Sequence, residues 1–281
     1  MFHMEAFRSS LSSGVTDVLQ QVTFITANAQ LNPSASGAQV ANQLPYLHSF
    51  FGVSAHLENI SPQAPSWQVL PFPNYAPNNI GTAAESPARF WDLARSPKPL
   101  RPTETFNIFA SQTNGGAENV AVFVNFTDGI NNPPPPIAKS PTIDGVQQLF
   151  TLHGVGTTTL TANAWSQVTI TPDSPGLPAG YYAIVGARAM SAGALAFRIH
   201  PVGGQQWRPG GVACQTADQL EAPGQRFINP LSGTVSHWGV WLNFYQVNFP
   251  YIDFWSTSAD TKQDVWLDLI KISDQFPTGA T

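Results

Sequence analysis

Apolar residues recur along this chain with two different periods. Near the start, Met4, Phe7, Leu11, Val15, Val18 and Leu19 fall three or four residues apart, a spacing that lines them up as one stripe on a helix. Residues 1–20 are therefore predicted as a short amphipathic helix, weakened by Gly14 and the neighbouring serines and so best formed against a partner. Beyond them the period shortens to two. In residues 119–126, Val120, Val122, Val124 and Phe126 alternate with Ala121, Phe123 and Asn125, so both faces of that strand are largely apolar and it should lie between a core and a second covered surface. In residues 194–200, Leu195, Phe197 and Ile199 alternate with Ala196, Arg198 and His200, the pattern of a half-buried strand.

The same strand reading applies to residues 48–58, 104–111, 237–244, 251–257 and 265–272, and to 181–197 as two strands. Twenty-five prolines and 22 glycines punctuate these short runs, which indicates an all-β sandwich or barrel. The four prolines of 133–136 hold an extended conformation that cannot enter a sheet ladder, so 133–139 is expected to be a linker.

The chain also repeats itself. Thr-Ala-Asn-Ala occurs at 26–29 and again at 161–164, an offset of 135. Further pairs follow in order: Gly52 with Gly186, Ala55 with Ala189, Trp67-to-Pro71 with Phe197-to-Pro201, and Glu85-to-Phe90 with Glu221-to-Phe227. Last, Phe109, Ser111, Val120, Val122 and Val124 face Phe254, Ser256, Val265, Leu267 and Leu269. Collinear blocks at offsets from 130 to 145 are what a tandem duplication with small loop insertions leaves behind. Each unit then holds roughly eight strands, the complement of a jelly roll. The predicted organisation is an arm at 1–20, a first jelly roll at 21–132, a proline linker at 133–139 and a second jelly roll at 140–281. Residues 72–103 and 201–226 form the longest gaps between strand patterns and are expected to be contact-bearing loops.

Composition narrows the function. Charged residues are only 10% of the chain, which leaves either a neutral polar surface or large areas buried against other subunits. A net charge of −5, with 12 Lys plus Arg and no basic run, argues against direct nucleic-acid binding. Cys214 is the only cysteine, so an intrachain disulfide or a cysteine zinc site is excluded. The first residues lack the pattern of a secretory signal, and 181–197 is too short and interrupted by Arg188 to span a membrane, so folding in the cytoplasm is expected.

A search for catalytic residues returns none. The six histidines, at 3, 48, 56, 153, 200 and 237, supply no His-x-His pair of the kind a cupin metal site needs, and structural roles are expected for all of them. Three methionines are too few for a copper site of the double-barrel hydroxylase type. Asp253, Asp264 and Asp268 are close in sequence but read as solvent-facing strand residues. Neither a nucleophile elbow nor a phosphate-binding glycine loop is present, and the surroundings of Cys214 do not suggest an activated thiol. Glu85 with Arg89 and Glu221 with Arg226, present in both units, point to structural links. No cofactor, metal site or catalytic residue is predicted.

Two tandem strand-rich units, a proline linker, an amphipathic N-terminal segment and low charge together resemble the double jelly-roll major capsid proteins of tailless icosahedral viruses. The bacterial members, many with an internal membrane, come nearest in length. The resemblance implies a structural protein that forms pseudo-hexagonal homotrimeric capsomers and then an icosahedral shell. Its partners would be copies of itself, minor capsid or vertex proteins, and an internal membrane reached through residues 1–20. Its location would be the virion capsid, after synthesis in the host cytoplasm. The alternatives are a receptor-binding spike or lectin-like module using Trp207 or Tyr75, and a double-barrel enzyme of the bicupin kind.

Overall fold

The computed structural model describes residues 2–13, 16–54, 56–67, 91–93, 97–113, 115–128, 142–143, 146–147, 149–203, 206–214 and 242–274. They divide into two compact units: Met1–Gly129 with Asn163–Trp165, and Ile130–Ala162 with Ser166–Thr281. The architecture is all-β, and the only helices among the described residues are 3-10 turns at Pro65–Trp67 and Gln246–Asn248.

The strands of the first half are β1 (Phe2–Leu11), β2 (Gln20–Phe24), β3 (Asn32–Ser34), β4 (Gly37–Gln39), β5 (Tyr46–Val53), β6 (Leu57–Gln63), β7 (Trp91–Asp92), β8 (Lys98–Pro99), β9 (Thr105–Gln112) and β10 (Glu118–Thr127). Those of the second are β11 (Thr142–Ile143), β12 (Val146–Gln147), β13 (Leu149–Gly156), β14 (Ala164–Val168), β15 (Thr171–Pro172), β16 (Tyr181–Met190), β17 (Ala194–His200), β18 (Gly210–Cys214), β19 (Leu242–Tyr245), β20 (Tyr251–Ser256) and β21 (Gln263–Ser273).

The two halves pair their strands alike. The first long strand lies antiparallel to the last, β1 on β10 and β13 on β21. The last strand also pairs with a strand from the middle of its half, β10 with β5 and β21 with β16. That strand then meets short later strands, β7 and β8 in one case and β19 in the other. On the other side, β2 pairs with β9 and β9 with β6, just as β14 joins β20 and β20 pairs with β17; the two sets are joined by β1–β2 pairing in the first half and by parallel β16–β18 pairing in the second. In the second half β17 goes on to β18.

No helix forms at the N-terminus: residues 2–11 are β1, hydrogen-bonded to β10 along its whole length. The reason lies in its two faces. Met4 and Ala6 are buried on one side, and His3, Glu5 and Phe7 on the other. A strand covered on both sides carries apolar residues at odd and even positions, and a subset of these then mimics helical spacing. Val18, assigned to the same stripe, is 53% exposed beyond the strand.

Registers correct the sequence alignment in places. Phe7 faces Val122 and Leu152 faces Leu267, registers compatible with the aligned pairs Val120/Val265, Val122/Leu267 and Val124/Leu269. Gly52 lies opposite Val122, whereas Ala187, one residue beyond the predicted Gly186, lies opposite Leu267 because a register shift occurs between Ile184 and Gly186. Phe109 does not match Phe254: Ile60 faces Ala110 as Phe197 faces Phe254, and Phe109 is partly exposed while Phe254 is buried. The counterpart of β17 is therefore β6, not residues 67–71. Glu58, Asn59 and Ser61 concealed β6 by diluting its apolar pattern.

The Thr-Ala-Asn-Ala segments are not equivalent in strand order, since the first follows β2 and the second leads into β14. What the segments share is a backbone conformation, with Asn28 and Asn163 both left-handed at φ of 58° and 59°. Asparagine tolerates this region better than other non-glycine residues. The proline linker and the Glu85/Glu221 blocks lie outside the described residues. Of the two predicted loops, 72–103 contains β7 and β8, and 201–226 contains β18.

Each half has its own core. In the first, Phe7 packs on Phe24 and Phe106 at centroid distances of 5.3 and 6.0 Å, and Phe106 on Phe126 at 5.3 Å. In the second, Ile184, Phe197, Ile199, Ile252, Phe254 and Leu267 belong to one buried cluster. Full burial of each such side chain stabilises by about 1.5–3 kcal/mol. Strand β10 is buried on both faces, as its sequence pattern predicts. Strand β17 departs from its half-buried prediction: every residue but His200 is buried, including Arg198.

Candidate functional site

Burial of Arg198 requires a local counter-charge, and the pairing of β17 with β20 supplies it by setting Arg198 opposite Asp253. Asp253 is 2% exposed. Its Oδ2 accepts from Arg198 Nε at 3.0 Å and from Arg208 Nη1 at 2.7 Å, while Oδ1 lies 2.9 Å from His200 Nδ1. His200 follows Arg198 by two residues and so shares its face of β17, whereas Arg208 arrives from the segment ahead of β18. Burial pushes the Asp253 carboxyl upward, but the His200 hydrogen bond and the two guanidinium groups outweigh it and hold the acid below its ordinary range. A carboxylate fixed by three donors is a poor proton acceptor, so this arrangement organises structure and does not suit general-base chemistry.

Of the other two acids, Asp264 departs from its prediction as well, whereas Asp268 is partly exposed on its strand. Asp264 is 7% exposed and lies 3.2 Å from His153 Nε2 and 3.4 Å from Lys262 Nζ. Asp268 accepts a hydrogen bond from Thr151 Oγ1 across β13 and β21. His153 Nδ1 lies 2.7 Å from Asp173 Oδ2, and its ring packs on Trp266 at 4.8 Å. Arg188 sits over the same indole at 5.7 Å.

Histidine–carboxylate contacts recur through the chain. His3 Nε2 lies 2.7 Å from Glu5 Oε1, with both side chains fully buried, and the same oxygen accepts from the backbone N–H groups of Gln30 and Leu31 at 2.6 and 3.1 Å. His56 Nδ1 lies 3.2 Å from Glu118 Oε2. His48 instead contacts Ser49 Oγ at 3.1 Å and the ring of Phe2 edge-on at 5.1 Å. His237, Tyr75, Glu85, Arg89, Glu221 and Arg226 lie outside the described residues. Cys214 ends β18, paired in register with Met190, and Trp207 precedes that strand. Among the described residues, no three His, Cys, Asp or Glu side chains group as metal ligands, and no helix is long and apolar enough to cross a membrane.

The connections at one end of each half are fastened by the same hydrogen bonds. Thr113 N–H and Oγ1 both donate to the His56 carbonyl, at 3.0 and 3.4 Å. In the second half Thr257 N–H and Oγ1 both donate to the Gly193 carbonyl, at 2.9 and 3.3 Å. Beside these, Ser54 Oγ donates to Glu118 at 2.5 Å, and Ser191 Oγ donates to Asp260. Asp260 also accepts from the N–H groups of Ala192 and Thr261 at 2.9 and 2.8 Å and of Lys262 at 3.3 Å. Burial pushes the pKa of this carboxyl up, yet the Ser191 bond and the three N–H donors prevail and hold it below the ordinary carboxylate range. Neither lock was foreseen from the sequence. The isolated Arg198 and Asp253 inside apolar runs were the available clue to the buried cluster.

No protein-family model matches the chain, and no curated protein does. Among solved structures, the chain is similar to the major capsid protein P2 from bacteriophage PM2, at 12% identity and a TM-score of 0.25, over 98% of this chain and 100% of that one. It is similar also to the PBSX exported protein XepA, at 10% identity and a TM-score of 0.25, over 96% of this chain and 86% of that one. Likenesses this distant leave the architecture to be judged from the strand pairing.

Proposed function

We propose that this chain is a structural, non-catalytic subunit of a viral shell: a double jelly-roll major capsid protein that forms homotrimeric, pseudo-hexagonal capsomers and assembles with itself in the virion. The observation that carries this reading is the strand pairing common to both halves. In a jelly roll one sheet joins the first, last, third and sixth strands, and the other joins the second, seventh, fourth and fifth. The pairings of the second half that support this reading are β13, β21, β16 and β19 on one side and β14, β20, β17 and β18 on the other, with β18 also touching β16 in parallel. The first half supplies the equivalents in β1, β10, β5 and β7 with β8, and in β2, β9 and β6.

Two similar barrels per chain would let three chains surround an axis with six similar bodies. The charged fraction of 10% suits a subunit that buries much of its surface against neighbours. Minor capsid or vertex proteins remain within the proposal, and direct genome contact does not. A membrane contact through residues 1–20 is no longer part of it, because Met4, Phe7 and Leu11 are committed to β1 and buried. The test is sedimentation of the purified full chain together with negative-stain microscopy. A three-copy mass with a six-lobed outline is expected, followed by shells at high concentration. A stable monomer that binds glycans would overturn the capsid reading in favour of a lectin-like module.

A further inference from the structure

An antiparallel sheet commonly packs one face on its core and turns the other to water. Strand β14, which ends the strand order of its sheet, departs from this. Ala164, Ser166 and Val168 point to one side, and Val168 belongs to the core of the second half. Trp165 and Gln167 point to the other. Gln167 is exposed there, as an outward residue should be, yet Trp165 is only 1% exposed.

The cover for this indole lies in the first unit, to which Asn163–Trp165 belong. The Trp165 ring meets Phe123 at a centroid distance of 6.2 Å and an interplanar angle of 72°, the edge-to-face arrangement that aromatic pairs favour. Phe123 is stacked in turn on Phe51, and both phenylalanines are fully buried. The backbone is held as well, because Asn28 Nδ2 donates to the Trp165 carbonyl at 2.7 Å. Ahead of the strand, Thr161 N–H donates to Ser166 Oγ at 2.8 Å and Asn163 is left-handed, so the turn fixes the direction in which the ring leaves.

We infer that Trp165 is the closing piece of the first unit, brought back to it from beyond residues 130–162. The first unit is thus not complete within its own stretch of sequence: its outer aromatic face closes only once β14 has formed. Release of the segment would strip cover from the Phe51–Phe123 pair, apolar surface of the kind that soluble proteins keep small. The inference concerns the first unit and does not depend on the capsid reading.

Hydrogen–deuterium exchange of the full-length protein at neutral pH tests this, read on peptides from β5 and β10. Trp165→Ala should lower protection there about tenfold or more, since the central strands of a unit report its global opening. Trp165→Phe should fall between that variant and the wild type, and it carries the test should Trp165→Ala fail to fold. Gln167→Ala, on the same side of β14, should leave β5 and β10 unchanged. Unchanged β5 and β10 protection in Trp165→Ala, or in Trp165→Phe where only that variant folds, would overturn the inference. So would a loss confined to β14, β20 and β17, or an equal loss in Gln167→Ala.

Discussion

Replacing Asp253 with Asn removes the carboxylate that bonds both Arg198 and Arg208 while keeping the side-chain volume. Arg198 is fully buried and Arg208 nearly so, so neither recovers much solvation when the carboxylate is lost. Removing one partner of a buried ion pair costs about 3–5 kcal/mol. Both arginines have other contacts as well, and the Asn oxygen still accepts one hydrogen bond, which places the expected loss near the lower end, about 3 kcal/mol. At about 2–4 °C per kcal/mol for a unit of this size, the second half should melt about 6–12 °C lower. Scanning calorimetry at neutral pH measures the shift.

The pH dependence follows from the lowered pKa of Asp253. A group depressed in the folded state stabilises above its unfolded value, about 3.9, and that contribution disappears as pH falls through the folded value. The gap between wild type and Asp253→Asn should therefore be constant near neutrality and narrow only below about pH 4. A melting temperature for Asp253→Asn within about 2 °C of wild type at pH 7 would refute the buried-cluster argument. So would a gap that narrows toward alkaline pH.

The remaining predictions concern β1 and the loop locks. Phe7→Ala should destabilise the first half by about 3–5 kcal/mol in urea denaturation, because Phe7 packs on Phe24 and Phe106; a dispensable arm would show no change. Deletion of residues 2–11 should for the same reason abolish the protease resistance of the first half, not merely shell formation. Thr257→Val keeps the backbone N–H bond to Gly193 and loses the Oγ1 one, so a cost of about 0.5–1.5 kcal/mol is expected in thermal melts of the second half.

The strands with one clear alternation were legible in the sequence, and so was the near-half offset between copies. What escaped it has physical causes. Strand β1 looked helical because it is buried on both faces. Strand β6 was overlooked because Glu58 and Ser111 satisfy each other's polar groups across the β6–β9 pairing, leaving few apolar residues to read. Asp253 reads as a surface residue because its partners, Arg198, His200 and Arg208, lie 45 to 55 residues away in sequence. Strands β7, β8 and β18 were hidden among prolines and glycines, since a strand of two to five residues is too short to show a period.

The duplication is better supported by contacts than by the tetrapeptide that first suggested it. The Thr-Ala-Asn-Ala segments lie on opposite sides of their strands, whereas Thr113 and Thr257 make the same pair of bonds to His56 and Gly193, beside two serines that each donate to an acid. Substitution has been uneven over equivalent faces. On the inner face of the sheet, Phe7 and Val122 in one half correspond to Leu152 and Leu267 in the other, and all but Leu152 are fully buried. On the outer face the chemistry diverges: Phe123 stacks on Phe51 at 4.9 Å, while the register equivalent of Phe123 is Asp268, bound to Thr151. Inner positions are constrained by the core that each unit needs to fold, and outer positions by whatever each unit faces. The outer faces of both halves nevertheless carry polar contacts, Asn125 with Ser49 in the first and Asp268 with Thr151 in the second, so the partners differ while the polar groups of each face find one another.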